Sequence, residues 1–588
     1  MAMEMAIGLG LIGSTILLVG LVGLYTPVAF AASLVILGGL SFPELGRAAH
    51  EAVSLPRRIT AAARGEGFLS VGVALAASAI LLLSAVQALT PPADNDALMY
   101  HLQAPRLYLE TGRLFLTPDI WQANGPMLAE MVYALGLAFG SDAFARLVNL
   151  TFAVLLTLAT YGVAARDLGR RSGWLALAIL LGIPILPIWG SLAGTDMAWA
   201  LYSFLAVIAL LRWSTAADRR WLLLGGLFTG FAVSSRYIGL GLALLLSGWV
   251  AVARRNDGWR SILQDLSSFV ACAGAVAWLW FAKNLVWTGN PVYPFLFGGP
   301  DWNPERLAFL MTYLRSFGSG TSLANYLLLP INLFVRHADF GTSMTSIDVP
   351  SPFFLLALAS PWAGLPVGWI ALGLLTLLAM LLWAVGSQQI RFLLPLYPIL
   401  TLLAVVTLRR IDSRFRRPGA RVIVPGIALG GVAATLVYQL IFVTITRPFP
   451  VILGEETKNA FLERTLYDYS AIEYIEDELP LSARVALLWD GRGYYCDTRC
   501  IPDADLSRWP RLLREAGSVQ GAMEMLRGLG ISHLLVDLEE LSIRLEEDPG
   551  GPYEVSLGQL AQALAPPFAR EIFRTEKVVL YEILPPER

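Results

Sequence analysis

The sequence predicts a polytopic α-helical protein of the inner or plasma membrane, with about 13 transmembrane helices and an extracytoplasmic α/β tail. Only 15% of its 588 residues are charged and 56% are hydrophobic, whereas soluble domains carry about 25% charged residues. Apolar stretches of about 20 residues, enough to cross a hydrocarbon core of about 30 Å, recur as far as residue 446. These observations exclude a soluble enzyme, a disordered scaffold, a coiled coil and a secreted disulfide module.

The charge is divided unevenly along the chain. Residues 1–446 carry 28 Arg and Lys against 20 Asp and Glu, whereas residues 447–588 carry 15 against 25. The division predicts a transmembrane domain over 1–446, with outer loops at 91–142 and 288–349, followed by an acidic domain over 447–588.

The predicted spans follow from apolar stretches bounded by charged or Pro-containing loops. The first stretch is followed at once by a second and has no small-residue cleavage site, which favours an anchor over a removed signal peptide. The spans are 5–24, 26–43, 68–90, 143–165, 173–190, 196–212, 221–235, 237–253, 264–287, 350–363, 366–385, 391–408 and 422–446.

Arginine-rich loops set the expected orientation. Clusters of Arg near 57–64, 166–171, 219–220, 254–260 and 409–417 separate alternate spans. Since cytoplasmic loops are enriched in Arg and Lys, all five lie on the cytoplasmic side if the N-terminus is cytoplasmic. The two large loops and the tail then lie outside.

The tail has the alternating pattern of a small α/β domain. Helical segments over 457–478 and 506–529 alternate with strand-like runs at 483–489, 533–537 and 578–584. Cys496 and Cys500 form either a local disulfide or two thiols, because spacing alone does not fix their geometry. A zinc site would need two further ligands.

Two carboxylates open the first outer loop directly after a span. Asp94 and Asp96 occur in PPADNDALMYH, residues 91–101. A partly desolvated carboxylate at the membrane surface has a raised pKa and can act as a general base. Alternatively, either residue is the N-cap of the helix that follows. Tyr100, His101 and Trp121 in the same loop are candidates for lining a substrate cavity.

Asp196 begins a predicted span, in Gly-Thr-Asp at 194–196. An acid at membrane depth costs roughly 2.5–3.5 kcal/mol at the helix centre and is a functional candidate by default. The alternative is again an N-cap, supplied by Thr195 or by Asp196 itself.

Several cations lie within spans or on the predicted outer side, where the positive-inside rule does not explain them. They include Arg236, Lys283 and Arg391, together with His337 in the second outer loop. Phosphate is a natural partner for Arg forks and a Lys point charge. Any single one of these residues also fits a snorkelling interfacial cation.

A Pro-rich aromatic turn, GNPVYPFLF at 289–297, follows the span that carries Lys283. Tyr293 in this turn is a candidate for lining a lipid or sugar path. The same composition also fits an interfacial aromatic belt.

The order of these motifs resembles the GT-C superfamily of membrane glycosyltransferases. The acidic motif with Tyr-His, Thr-Asp, GNPVYPF, RFLLPLYP from Arg391 and an outer α/β tail follow one another as in that superfamily. The sequence is similar to bacterial relatives of the protein O-mannosyltransferases and of the lipid A aminoarabinose transferase. The likeness covers most of residues 68–446 and predicts a GT-C-like fold.

The resemblance implies sugar transfer, with inversion, from a polyprenyl-phosphate-linked donor to an acceptor on the outer face. Asp96, or Asp94, would be the general base, and Lys283, Arg391 and Arg236 would bind the donor phosphate. Asp196 would orient the acceptor or a divalent ion. This chain has Asp-Asn-Asp where the family commonly has Asp-Glu, which leaves the identity of the base open.

Other functions stay open at this point. A transporter or flippase of lipid-linked or anionic solutes would favour internal repeats and broken helices, and the sequence has no evident repeat. A non-catalytic envelope assembly protein would tolerate the loss of Asp96 and Asp196. We expect membrane lipids and an unidentified acceptor as partners, and no nucleic acid. A Mg²⁺ or Mn²⁺ cofactor and the oligomeric state are left open.

Overall fold

The computed structural model describes residues 1–41, 67–341, 350–359, 365–415, 420–547 and 551–586, with isolated positions between 46 and 61. Arg58 and Arg64 of one predicted cytoplasmic loop lie outside the described residues, as do Arg416 and Arg417 of another. The end of the predicted span 350–363 also lies outside them.

Eight described helices are long and apolar enough to cross a membrane, and each overlaps a predicted span. The chain is therefore a multi-pass membrane protein of mainly helical fold. The eight helices are Ala2–Leu21, Phe68–Ala88, Ala143–Leu168, Asp196–Ala216, Trp259–Thr288, Val367–Val385, Ile390–Ile411 and Ile423–Thr446.

The predicted count of about 13 spans is not confirmed. The segment predicted as one span over 173–190 is a pair of helices, Arg170–Leu181 and Ile185–Ser191, bent by 70°. Gly182 and Pro184 lie at the break, where proline removes a backbone donor. Three more predicted spans are helices of 14, 17 and 15 residues. At 1.5 Å per residue they reach about 21–26 Å, less than the core thickness. They are Pro27–Leu40, Arg219–Ser235 and Gly239–Ala253.

Shorter helices complete the described chain. Before residue 449 these are Gln103–Thr111, Leu128–Ala138, Pro304–Arg315, Leu323–Val335 and Phe353–Ala359, with a π-helix at Ala97–His101 and 3-10 turns at Trp121–Asn124, His337–Phe340 and Ile390–Leu396. Around and within the tail they are Pro448–Ile452, Lys458–Thr465, Tyr469–Glu478, Arg508–Ala516, Val519–Gly528, Leu538–Glu547 and Pro552–Ala563.

The chain forms two compact units. The first, here called the membrane unit, comprises Met1–Thr90, Pro126–Lys283 and Thr312–Pro448. The second, here called the tail unit, comprises Pro91–Gly125, Asn284–Met311 and Phe449–Arg588. Parts of both predicted outer loops therefore belong to the same unit as the tail.

The tail unit is built on a five-stranded sheet in the order β2-β1-β3-β5-β4. β1 is parallel to β2 and β3, and β5 is antiparallel to β3 and β4. The strands are β1 Val485–Leu488, β2 Cys500–Ile501, β3 His533–Asp537, β4 Ala569–Arg574 and β5 Val578–Ile583. β1, β3 and β5 match the three predicted strands. β2 has only two residues and β4 carries three charges among six, so neither had a strand pattern.

Both faces of the sheet are covered, as expected for near-continuous apolar strands. Ala486 and Leu488 of β1 pack into a core with the helices of 508–528 and 552–563. Val485 and Leu487 pack on the opposite face against the helix Tyr469–Glu478.

Each of the two long helices predicted in the tail is interrupted once. Gly517, at φ 70°, ends the helix Arg508–Ala516 in the left-handed conformation that glycine adopts readily. Ser518 then caps Val519–Gly528, its hydroxyl accepting from the Gly521 N–H at 3.1 Å.

Candidate active site

Asp196 begins the helix Asp196–Ala216 and is 1% exposed. Its Oδ2 accepts a hydrogen bond from Arg236 Nη2 at 3.1 Å. Arg236 Nε also donates to the hydroxyl of Thr195 at 3.0 Å. Asp196 Oδ1 is buried and has no hydrogen-bond partner among the described residues. The side chain therefore forms an ion pair across two helices and keeps one oxygen able to accept from a ligand.

Aromatic rings lie next to Arg236 and to a second guanidinium, that of Arg391. The Arg236 guanidinium lies 5.6 Å from the ring centroid of Phe392. Arg391 lies 5.4 Å from the same ring and 5.1 Å from the indole of Trp189. Stacking on aromatic faces orients a guanidinium without removing its charge. We call this group the Asp196 cluster; it comprises Asp196, Arg236, Arg391, Trp189, Trp199 and Phe392.

Two polar residues of the span Ala143–Leu168 hold the backbone that leads to Asp196. Arg146 Nε donates to the Ser191 carbonyl at 2.8 Å, and Asn149 Nδ2 donates to the Trp189 carbonyl at 2.7 Å. Carbonyls in the last turn of a helix lack intrahelical partners. These donors therefore satisfy the end of the short helix Ile185–Ser191, where a membrane offers no water.

The acidic segment, residues 91–101, lies in the tail unit. Asp94 Oδ1 accepts from the Ala97 N–H at 3.0 Å, which is a helix-capping hydrogen bond. Asp96 Oδ2 accepts from the Tyr100 hydroxyl at 3.1 Å. The two carboxylates thus differ, because Asp94 is engaged by the backbone of its own turn and Asp96 by a side chain.

Solved structures with a similar fold are known. The structure is similar to apo ArnT from Cupriavidus metallidurans, with a TM-score of 0.56 and 16% identity, over 88% of this chain and 99% of ArnT. The likeness to the same ArnT bound to undecaprenyl phosphate has a TM-score of 0.51 over the same shares. The chain has the ArnT fold. No protein-family model and no curated protein sequence matches the chain.

A weaker likeness is to AglB from Archaeoglobus fulgidus, an archaeal oligosaccharyltransferase in complex with an inhibitory peptide and a dolichol-phosphate. It has a TM-score of 0.42 and 13% identity, over 81% of this chain and 71% of AglB.

ArnT, the lipid A aminoarabinose transferase, is a GT-C glycosyltransferase. The predicted resemblance to the GT-C superfamily is therefore confirmed at the level of the fold.

Lys283 lies near the end of the span Trp259–Thr288 in this ArnT fold and is 5% exposed. Its ammonium nitrogen lies 5.7 Å from the ring of Trp280, one turn earlier on the same helix. This distance is within the range of a cation–π contact.

The predicted cavity residues of the first outer loop pack inside the tail unit. The rings of Tyr100 and His101 lie 4.0 Å apart, and His101 is 1% exposed. Trp121 packs edge-on against Phe295 at 5.6 Å. Tyr100 is thus the member of this set whose hydroxyl touches a predicted catalytic carboxylate, Asp96.

Among the contacts seen in the described chain, none joins Tyr293 or His337 to Asp196 or to the carboxylates of the acidic segment. Tyr293 is fully buried and its hydroxyl donates to the Pro300 carbonyl at 2.6 Å. Asn290 closes the same turn by donating to the carbonyls of Phe295 and Gly298. His337 lies in a 3-10 turn of the membrane unit. The Pro-rich turn is therefore a compact folded element.

Cys496 and Cys500 form a disulfide, with their Cα atoms 5.9 Å apart. The bridge lies in the tail unit and connects the loop after β1 to the start of β2. Cys272 in the span Trp259–Thr288 is a free thiol.

The described parts of the chain show no cluster of the side chains that commonly bind a divalent cation. Among them, no group of three or more His, Cys, Asp and Glu side chains could hold a metal ion. Mg²⁺ and Mn²⁺ favour several oxygen ligands, so we assign no step of the chemistry to a metal.

Sequence reasoning missed Arg146, Asn149 and the rings of the Asp196 cluster. A signal was present, because Arg146 and Asn149 lie three residues apart on one face of an apolar span. An ionisable residue within a span is a functional candidate by default. Trp189, Trp199 and Phe392 had no such signal, since aromatic residues are common in spans.

Proposed function

We propose that the chain is a glycosyltransferase that moves a sugar from a polyprenyl-phosphate-linked donor to a lipid, glycan or protein acceptor. The observation that carries the proposal is the Asp196 cluster, in which Arg236 pairs with a buried carboxylate and shares the ring of Phe392 with a second guanidinium, that of Arg391. The ArnT fold supports it, because ArnT has been crystallised with undecaprenyl phosphate.

The cations have a physical role in this reaction. Breaking the bond between the sugar and the phosphate converts a phosphodiester into a phosphomonoester, which gains negative charge. Preorganised cations that meet this developing charge lower the barrier. Arg391 and Lys283 are the proposed phosphate ligands. Arg236, which pairs with Asp196 at 3.1 Å, is the third member and fixes the orientation of that carboxylate.

Asp96 is the proposed general base. A base must reach the proton of the acceptor hydroxyl through one of its oxygens. One oxygen of Asp94 accepts the hydrogen bond that caps the turn carrying Asp96. Asp94 is therefore proposed to position Asp96 and not to accept the proton itself. Tyr100 donates to Asp96 and orients the carboxylate.

The proposed transfer needs no oxidant, reductant or further reactant. The acceptor oxygen attacks the anomeric carbon, and a new carbon–oxygen bond forms as the bond to the phosphate oxygen breaks. Polyprenyl phosphate leaves with the electron pair, and the acceptor proton goes to Asp96. Asp196 orients the acceptor through its Oδ1 atom, which is buried and has no partner among the described residues.

We place the N-terminus in the cytoplasm and the tail outside the inner or plasma membrane. The five Arg-rich loops support this orientation. The disulfide between Cys496 and Cys500 also supports it, because disulfides persist in oxidising compartments.

The test is transfer from a panel of polyprenyl-phosphate-linked hexoses and pentoses, read as release of polyprenyl phosphate by the purified full chain. Asp96→Asn should lower the rate at least about 100-fold, the scale of lost general-base catalysis, while Asp94→Asn retains more activity. Retained transfer in Asp96→Asn would remove Asp96 as the base. Movement of labelled donor across vesicles by the wild type, without transfer, would favour a flippase instead.

Lys283→Ala tests the phosphate assignment separately. The KM for the donor should rise more than the KM for the acceptor. Lys577→Ala is the matched control, because Lys577 lies in the tail and pairs with Glu539 at a largely exposed site. A selective rise in the acceptor KM of Lys283→Ala would contradict the assignment.

A further inference from the structure

In the tail unit, the edge of the sheet formed by the carboxyl ends of its parallel strands is covered by other segments of the same chain. β1, β2 and β3 are parallel, so their carboxyl ends lie on one edge. In open parallel sheets, ligands bind in the crevice outside this edge. Here the segments that leave the edge are 489–499 after β1 and 502–507 after β2.

A buried charge cluster occupies the middle of this edge. Arg492, which follows β1, pairs with Asp490 at 2.9 Å and with Asp537, the last residue of β3, at 3.0 Å. It also pairs with Asp468 at 3.4 Å. All four side chains are at most 8% exposed. The cluster therefore anchors the start of the loop after β1 to the sheet.

Two further ion pairs join this edge to the two loop segments of the same unit. Asp505 accepts from Arg306 Nε at 3.0 Å, and Arg508 Nη2 donates to Asp119 at 2.8 Å. Arg306 comes from segment 284–311 and Asp119 from segment 91–125. The chain itself thus fills the position where an α/β domain usually holds a ligand.

The loop after β1 then contacts both ends of the acidic segment. The Tyr495 hydroxyl donates to the Pro92 carbonyl at 2.8 Å. The Tyr494 N–H donates to the Leu98 carbonyl at 3.1 Å. Asp94 and Asp96 lie between these two points, and Leu98 is part of the π-helix Ala97–His101.

Two glycines allow this close approach. A Cβ at Gly491 would lie 2.5 Å from Met99 Cε and 3.2 Å from the Ala504 Cα. A Cβ at Gly493 would lie 2.8 Å from Gln103 Cδ, and Gln103 is buried. Farther along, Arg106 Nη1 donates to the Cys496 carbonyl at 3.0 Å, next to the disulfide. The contact therefore extends from residue 92 to residue 106.

We propose that the loop 490–496 positions the acidic segment, and that Tyr495, Gly491 and Gly493 are positioning residues for the carboxylate of Asp96. The carboxyl edge of the sheet acts as a docking surface within the chain, and the acceptor binds elsewhere. The catalytic consequence rests on the proposed function, whereas the docking contact does not.

The test compares two variants with matched controls in the full chain. Tyr495→Phe removes one hydroxyl, and Gly493→Ala adds one methyl. Tyr474→Phe is the first control. It also removes one tyrosine hydroxyl, but the ring of Tyr474 packs against Phe573 of β4 and not against the acidic segment. Gly528→Ala is the second, because a Cβ there meets open space.

The first readout is hydrogen exchange of the amides in 93–101, which needs no substrate. Tyr495→Phe should raise their exchange about fivefold, the effect of losing one net hydrogen bond, and Gly493→Ala should raise it at least as much. Neither control should change it. Unchanged exchange in both variants would overturn the proposal, whether or not the chain proves to be a glycosyltransferase.

The second readout separates positioning from acceptor binding. In both variants kcat should fall while the KM values for donor and acceptor stay within about twofold, since a misplaced base affects the chemical step. A raised acceptor KM with unchanged kcat would assign the loop to acceptor binding and overturn the proposal. If the wild type transfers no sugar, the proposed function fails and the exchange data still decide the docking contact.

Discussion

Arg236 donates to the buried carboxylate of Asp196 across 3.1 Å, joining the C-terminus of one helix to the N-terminus of another. An acid at a helix N-terminus is already favoured by the helix dipole. The additional pairing fixes the direction in which Asp196 presents its second oxygen. The ion pair therefore orients the carboxylate at the centre of the Asp196 cluster.

Removing Arg236 should destabilise the protein more than removing both partners. Arg236→Gln leaves a buried carboxylate without its cation, a loss of about 3–5 kcal/mol. Asp196→Asn combined with Arg236→Gln should recover much of it. Thermal unfolding in detergent measures the cycle, and Arg254→Gln is the control because Arg254 pairs with Asp265 at a less buried site. Equal losses in Arg236→Gln and Arg254→Gln would contradict the buried pairing.

Arg146→Met should lower both stability and donor affinity. Arg146 Nη1 donates to the carbonyl and hydroxyl of Thr90 at 2.8 and 2.7 Å, and its Nε donates to Ser191. Each buried acceptor left unpaired costs about 1–3 kcal/mol. Because this network holds the backbone near Trp189, the KM for the proposed polyprenyl-phosphate-linked donor should rise as well. Arg166→Met, at an exposed site, should change neither quantity.

The tail should lose stability as pH rises from 5 to 8. Burial, with the charge of Asp490, raises the pKa of Asp537 to about 7 despite Arg492, and burial raises the pKa of Asp468 to about 6. The folded state therefore holds protons that the unfolded state releases near pH 4. The stabilisation is complete below pH 4 and is lost as pH passes 6 to 7.

Hydrogen exchange of the β3 amides, corrected for intrinsic rates, measures this pH dependence. Asp537→Asn should flatten it, because the amide cannot ionise. Exchange protection in the wild type that increases between pH 5 and 8 would reverse the expected sign.

Alkylation of the denatured, unreduced chain should modify one thiol. Cys496 and Cys500 are joined and Cys272 is free, so mass spectrometry should find the label on Cys272 alone and on all three cysteines after reduction. Labelling of all three without reduction, in protein purified under oxidising conditions, would place the tail in a reducing compartment.

Apolar stretches long enough to cross a membrane were predictable because their length is set by bilayer thickness. The break at Gly182 and Pro184 was visible in the sequence but its 70° angle was not, since the angle depends on packing against other helices. The short helices near 27–40 and 219–253 were predicted as spans because apolar composition alone does not separate a short helix from one long enough to cross the membrane.

The acidic motif and Asp196 were predictable because charge is rare in this chain. The difference between Asp94 and Asp96 was not, because it depends on which carboxylate the Ala97 N–H selects. The contact between residues 92–106 and 490–496 had no local signal either, since the two segments lie almost 400 residues apart.

That separation has a consequence for biosynthesis. The hydroxyl of Tyr495 reaches a carbonyl 403 positions earlier in the chain, and contacts of such range form late. While the ribosome is still making the membrane helices, the segment with Asp96 has no partner loop to dock against. The docked conformation of the proposed base is completed only when the last quarter of the polypeptide has been translated and folded. A chain that stops early would therefore be inserted in the membrane with its acidic segment undocked.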